Sequence, residues 1–241
     1  MTEAQNSAAL VVGGSSGIGL ATARQLADRG HAVHIVGRDA GRLASAAAAV
    51  PSAVTHQADA GDGAAMSAVA SSIGTVDILV VAASGAEGIG PIAELDVTML
   101  RRAFDAKFWT HLVSIQAVLP YLAADGSITL VSAITARSSM PGTAGVGAIN
   151  AAVEGLVKPL AAELAPRRVN AVSPGFVDTP WWSAMPEADR VAYFEHAASV
   201  LPARHIAQAD EIAEAIVLAA TNRNITGTVI ESDGGARLVT I

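Results

Sequence analysis

The chain has no cysteine in its 241 residues, which excludes disulfides, thiolate nucleophiles and cysteine-based zinc sites and leaves only histidine and carboxylate ligands for any metal. Its six histidines are scattered and form no HExxH-type pair. No apolar run approaches the roughly 20 residues that a bilayer-spanning helix needs. Hydrophobic residues nevertheless make up 51% of the chain and the mean hydropathy is +0.43, so the apolar content belongs to buried strands and packed helices. The chain has no lysine/arginine run and the formal net charge is -7, so neither nucleic acid nor an anionic membrane surface is an expected partner. A small anionic ligand held locally is not excluded. The opening stretch MTEAQNSAAL lacks a basic segment followed by an apolar one, and the expected location is the cytoplasm. Aromatic residues are scarce, at 4%, so a place where they concentrate is informative.

What is present is alternation. Apolar, β-branched runs at 9–12, 32–36, 78–82, 127–131 and 169–172 read as strands buried on both faces. Between them, 17–29, 42–50, 64–73, 98–122, 143–164 and 210–220 read as helices, so the pattern is a series of βαβ units on a parallel sheet. No composition shift or linker divides the chain, and one domain spanning 1–241 is expected, with a frayed tail at 1–7. Pro159 falls inside the 143–164 helix, where it removes a backbone bond and predicts a kink.

The run Leu10-Val11-Val12-Gly13-Gly14-Ser15-Ser16-Gly17-Ile18-Gly19 leads from a strand into a helix. The free N–H groups and positive dipole end of that helix suit a pyrophosphate. Gly13 and Gly17 allow the tight turn and a close backbone approach, Gly19 allows the helix to pack on the sheet, and Ser15 and Ser16 add hydroxyl donors. The second strand ends in Gly37-Arg38-Asp39, where a carboxylate would ordinarily bind the ribose hydroxyls of NAD. Gly37 leaves that position empty, and the Arg38 guanidinium suits a 2′-phosphate, so NADP(H) is expected in preference to NAD(H).

These residues, with others along the whole chain, resemble the short-chain dehydrogenase/reductase family. The glycine run matches that family's T-G-x-x-x-G-I-G except for the threonine. Asp59 in Gln57-Ala58-Asp59-Ala60 is similar to the aspartate that contacts adenine. The run from Arg168 through Val169-Asn170-Ala171-Val172-Ser173-Pro174-Gly175-Phe176-Val177-Asp178-Thr179-Pro180 is similar to the segment closing over the nicotinamide. Ile225-Thr226-Gly227 and Asp233-Gly234-Gly235 match the last strand and its exit. The resemblance implies a single-domain Rossmann fold, a doubly wound parallel sheet of about seven strands with helices on both faces. It implies a nucleotide site formed by Gly13, Ser15, Ser16, Gly17, Ile18, Gly19, Arg38, Asp59, Ala60, Ala82, Asn150, Pro174, Gly175, Val177 and Thr179. It also implies a homotetramer or homodimer assembled through the 98–122 and 143–164 helices.

The departures fall on the catalytic positions. The family's N-N-A-G after the fourth strand is Ala82-Ala83-Ser84-Gly85 here, and its Y-x-x-x-K maps onto Val146-Gly147-Ala148-Ile149-Asn150. Its serine falls on Ala133, leaving only Ser132, which should point away because adjacent strand residues face opposite sides. Its helix asparagine falls on Lys107, so the asparagine and lysine positions have exchanged residue types. In the family the tyrosine passes a proton to the carbonyl oxygen, the lysine lowers that tyrosine's pKa and the serine steadies the oxygen. Val146 and Ala133 supply none of this.

A cation at Lys107, its pKa lowered by burial, is one way to keep a polar group beside the nicotinamide; the alternative is a lysine that snorkels to solvent. Ser138, Ser139 and Thr143 are other donors, and Trp181, Trp182, Met185, Tyr193, Phe194 and His196 fall in the family's substrate lid, at 180–205. An apolar ligand stacked on Trp181 or Trp182 and ordinary lid packing both account for that aromatic concentration. Tyr193 or His196 is a candidate there for a replacement acid. Two functions stay open: an oxidoreductase on a carbonyl or alcohol with unusual proton handling, and a non-catalytic NADP(H)-binding sensor, scaffold or partner subunit.

Overall fold

Short β-branched runs form strands because side chains on both faces find helices to pack against. The computed structural model describes residues 7–85 and 87–239; the expected tail lies outside them apart from Ser7, whose carbonyl accepts the Ala32 N–H. β1 (Ala8–Val12) is buried at every position, and β2 (Ala32–Gly37), β3 (Val54–Gln57), β4 (Val76–Val81), β5 (Leu122–Val131), β6 (Arg168–Pro174) and β9 (Val229–Ser232) join it in one parallel sheet. The strand order is β3-β2-β1-β4-β5-β6-β9. The chain reverses direction across the sheet between β1 and β4, which places the crevice of a doubly wound fold at their carboxyl ends.

Helices α1 (Gly17–Asp28), α2 (Ala40–Ala49) and α9 (Ala209–Thr221) cover one face, where Leu26, Leu43, Ile212 and Ile216 meet Val11 and Val80. α3 (Gly63–Ile73), α5 (Thr110–Val118), α6 (Ala144–Gly155) and α7 (Val157–Glu163) cover the other, where Met66, Ile115, Val153 and Val157 meet Leu10 and Leu79. Alternate residues of β1 thus serve opposite cores, as a period of two requires. Among the described residues no helix is long and apolar enough to cross a membrane.

Two helices differ from the spacing-based expectation. The stretch 98–122 is divided into α4 (Val97–Phe104), a π-helical turn over Asp105–Trp109 and α5, followed by a 3-10 turn at Leu119–Tyr121; Leu122 already belongs to β5. The cause is side-chain capping inside the helix. Thr110 Oγ1 donates to the Asp105 carbonyl at 2.9 Å and His111 Nδ1 meets the Lys107 carbonyl at 2.7 Å, so both carbonyls have partners where the backbone ladder widens. The 143–164 helix breaks at Leu156, whose N–H turns to the Val153 carbonyl at 3.3 Å. Pro159, three residues on, has no N–H to offer the Gly155 carbonyl and crowds it.

The 180–205 segment, expected to act as a lid, is bracketed by a two-residue parallel pair, β7 (Val177–Asp178) with β8 (Ala207–Gln208). Between them lie a 3-10 turn, Pro180–Ala184, and α8 (Glu187–Val200).

Candidate nucleotide and catalytic site

The phosphate loop sits where β1, β4 and the start of the lid converge. Gly13 has φ +78° and Gly17 φ +52°, the left-handed region that a side chain disfavours. A Cβ on Gly13 would come within 2.8 Å of the Ala83 nitrogen, and one on Gly19 within 2.2 Å of the Gly13 carbonyl, so both glycines are needed for close packing of strand and helix ends. A Cβ on Gly17 would face the Thr179 side chain at 3.5 Å, which brings the glycine loop and the lid's first residue together. Ser16 caps α1 in an extended conformation with no side-chain cap bond, and the first turn of α1 carries no acidic residue. A helix start without a side-chain cap and a Ser16 hydroxyl that makes no hydrogen bond among the described residues fit the pyrophosphate of a dinucleotide.

At the end of β2, a Cβ on Gly37 would come within 3.1 Å of Ser15 Oγ and 3.2 Å of Leu43, so these side chains crowd the position. Arg38 is exposed and makes no ion pair among the described residues, while Gln57 Nε2 holds its carbonyl at 3.1 Å. The next carboxylate, Asp39, is occupied in capping α2 through the Arg42 N–H at 2.8 Å. Asp59 is exposed, its Oδ1 accepting the Gly61 N–H at 2.9 Å, and Ala60 is buried behind it. Ala82 lies against Gly13. Gly175 packs on the Asp233 backbone, with Pro174 and Val177 buried beside it.

The four exchanged positions gather around the chain segment that leaves β5. Lys107, on the π turn, is only 7% exposed and its Nζ donates to the Ser132 carbonyl at 3.1 Å. It does not snorkel. Burial lowers its pKa to about 8, with Glu154 acting in the opposite sense. Ser132 turns its hydroxyl away from the cleft, to Glu154 Oε1 at 2.8 Å and the Val172 carbonyl at 3.3 Å. Asn150 is buried and gives its amide N–H groups to Thr135 Oγ1 at 2.9 Å and the Val146 carbonyl at 3.0 Å, leaving Oδ1 without a partner among the described residues. Lys107 and Asn150 therefore occupy one neighbourhood without bonding to each other. Ala133 begins the 3-10 turn Ile134–Ala136 that packs on α6.

His111, Glu154 and Thr135 were not singled out from the sequence. Spacing holds the signal: His111 stands four residues after Lys107 and Glu154 four after Asn150, one helical turn in each case.

The substrate candidates separate into two groups. Ser138, Ser139 and Thr143 border a cleft of about 550 Å³ that also reaches Ile92 and the Gly147 and Ala148 side of α6, and neither Ala133 nor Val146 lines it. Trp182 and Tyr193 pack on Phe176, with ring centroids 6.5 and 5.8 Å from it, in a cluster with Ile134, Met140 and Leu201. Trp182 also donates its indole N–H to the Val177 carbonyl at 2.9 Å. Burial pushes the Tyr193 phenol above its usual pKa, and His196 is exposed on α8. Trp181 differs from these: it is 39% exposed and its indole N–H crosses to the Gly85 carbonyl at 3.1 Å, linking the lid to the loop after β4.

Comparison with known proteins agrees with this architecture. Residues 12–237 match the family model described as enoyl-(acyl carrier protein) reductase. A cis-4-hydroxycyclohexanecarboxylate dehydrogenase from Sinomonas cyclohexanicum is 34% identical over 94% of this chain and 95% of its own. Among solved structures, a small-chain dehydrogenase in complex with NADPH superposes with a TM-score of 0.87 at 36% identity, over 97% of this chain and all of the other. An NADPH-bound short chain oxidoreductase from Pseudomonas aeruginosa PAO1, described as containing an atypical catalytic center, gives 0.88 at 31% identity over 95% and 96%. The chain belongs to the short-chain dehydrogenase/reductase family of oxidoreductases.

Proposed function

We propose that this protein is a cytoplasmic oxidoreductase that binds NADP(H) in preference to NAD(H) and interconverts an apolar carbonyl compound and its alcohol, with Lys107 as the ionisable group of the site. The observation that carries this reading is the burial of the Lys107 amine against a single carbonyl, with no carboxylate within ion-pair distance among the described residues. A buried ammonium so poorly compensated costs stability, and such costs concentrate at functional sites.

The guanidinium of Arg38 would hold a 2′-phosphate, and the α1 N-terminus with Ser15 and Ser16 the pyrophosphate. When bound, the nicotinamide supplies or takes up the hydride at the substrate carbon. Lys107 Nζ spends one of its three donors on Ser132 and keeps two for a substrate oxygen. With a pKa of about 8 it holds a proton near neutrality and releases it more readily than a solvated lysine. During reduction it would give that proton to the carbonyl oxygen and be reprotonated from water. An alicyclic substrate is favoured by the relative named for a hydroxycyclohexanecarboxylate and by the apolar lid cluster around Phe176 and Trp182.

The second reading, a non-catalytic NADP(H)-binding sensor, scaffold or subunit, is favoured by Val146 and Ala133, which offer no O–H. In either case we propose a homodimer or homotetramer built on α4–α5 and α6–α7. Trp109 stands 49% exposed there and α6 presents Ala144, Ala148 and Ala151 outward. Calorimetric titration with NADPH and NADH, followed by a panel of cyclic ketones monitored for NADPH consumption, tests the proposal. Turnover that disappears in Lys107→Met supports the enzyme; binding without turnover supports the sensor; absence of NADPH binding overturns both.

A further inference from the structure

Lys107 is one of two lysines in the chain, the other being the exposed Lys158. Its ammonium meets no anion directly among the described residues, yet a carboxylate stands one residue's width away. The Ser132 residue is the link: its carbonyl oxygen accepts from Lys107 Nζ at 3.1 Å and its hydroxyl donates to Glu154 Oε1 at 2.8 Å. Glu154 is itself held on its far side, where Arg137 Nε donates to Oε2 at 2.9 Å. Arg137 in turn pairs with Glu231 on β9, and Glu231 with Arg237 at 2.6 Å. The charged and titratable groups facing Lys107 from its packed elements are therefore His111 on α5, Glu154 on α6 and Arg137 after β5, with Glu231 behind Arg137. His111 is buried and neutral, so Glu154 is the nearest source of negative potential.

We propose that Glu154 is a positioning residue for the Lys107 ammonium, acting through Ser132 to hold it charged and fixed at the cleft, and that Arg137 limits how much of that carboxylate's field Lys107 feels. The glutamate side chain is almost enclosed, at 10% exposure, so its charge is poorly screened by water and acts at longer range than a surface carboxylate would. The bond from Ser132 fixes the carboxylate's position. The same bond directs the hydroxyl into the protein and leaves only the carbonyl for Lys107. The direction of each effect follows from charge alone: removing Glu154 makes Lys107 easier to deprotonate, and removing Arg137 makes it harder.

The inference rests on the assignment of Lys107 to the site, but its test needs no nucleotide. With lysine labelled by 13C at Cε, the full-length protein gives two lysine signals, and Lys158 serves as the internal control. The expected midpoint for Lys107 is about 8 in the wild type. Glu154→Gln lowers it by about one pH unit, Glu154→Asp restores it most of the way, and Arg137→Gln raises it, while Lys158 moves in none of them. An unchanged Lys107 midpoint in Glu154→Gln overturns the proposal. Should that variant not fold, an unchanged or lowered midpoint in Arg137→Gln overturns it instead. NADPH affinity against pH is the second readout: its midpoint should follow that of Lys107 through the same variants. Midpoints that move as stated in a protein that binds no NADPH would leave this inference standing and remove the oxidoreductase reading.

Discussion

His111 Nδ1 lies 2.7 Å from the carbonyl oxygen of Lys107, one helical turn before it, and the imidazole is completely shielded from solvent. The bond places the proton on Nδ1, because a carbonyl can only accept, and leaves Nε2 bare and without a partner among the described residues. The ring is thus a neutral fixture of the π turn, and a second proton would have to enter beside an ammonium.

That arrangement predicts acid lability. Burial, reinforced by the Lys107 charge, lowers the His111 pKa from 6.5 to about 4. Above pH 6.5 the ring is neutral in folded and unfolded chains alike. As pH falls from there towards 4, the unfolded chain takes up a proton that the folded one refuses, and stability declines by about 3 kcal/mol before levelling. Urea unfolding across this interval should show the decline in the wild type and a flatter profile in His111→Gln. Equal slopes would show that the loss originates elsewhere.

Lys107 predicts a change in the alkaline range. Its folded pKa of about 8 lies below the 10.5 of an unhindered lysine, so the unfolded chain binds more protons between these values and stability rises with pH there. Lys107→Met removes the penalty and should unfold at higher temperature than the wild type at pH 7, by an amount worth about 3 kcal/mol at most. The difference should shrink as pH climbs to 10.5. A variant less stable than wild type at pH 7 would mean that the ammonium is better compensated than its contacts indicate.

The proposed preference for NADP(H) rests on Arg38. Arg38→Gln should weaken NADPH binding by about tenfold to a hundredfold, the range of charge-assisted hydrogen bonds, and leave NADH binding unchanged. Calorimetry with both nucleotides decides it, and an equal loss for the two would assign Arg38 to the shared part of the molecule.

The Trp181 bond to Gly85 predicts a kinetic effect. Trp181→Phe keeps an aromatic ring but loses the N–H that reaches across at 3.1 Å. One hydrogen bond of ordinary strength corresponds to about a two- to tenfold faster release of NADPH in stopped-flow. Unaltered release would show that the lid opens without passing through this contact.

The parallel sheet was legible because β1, β4 and β5 carry apolar side chains towards both cores, a pattern that few other environments tolerate. The glycine loop was legible for a similar reason: Gly13 and Gly19 are tied to backbone approaches that any larger residue would block, and Gly17 holds a positive φ that a side chain disfavours. The π turn was not. Its apolar spacing continues that of the flanking helices, and what divides them is a pair of side-chain bonds from Thr110 and His111. Pro159 announced a break but not its place, since the strain appears at Leu156, on the carbonyl side of the missing bond. At the site, the family resemblance suggested a buried Lys107 beside the nicotinamide position, whereas its link to Glu154 runs through Ser132, 25 residues further along the chain.

Gly37 is more than an empty place for an acid. Its hydrogen faces Ser15 Oγ and Leu43, and a Cβ would already stand 3.1 and 3.2 Å from them. A carboxylate grafted at 37 would therefore have to displace the Ser15 hydroxyl and the Leu43 methyl by a few tenths of an ångström. On the NADP(H) preference proposed above, the shape of this wall as well as the charge of Arg38 would bear on coenzyme choice.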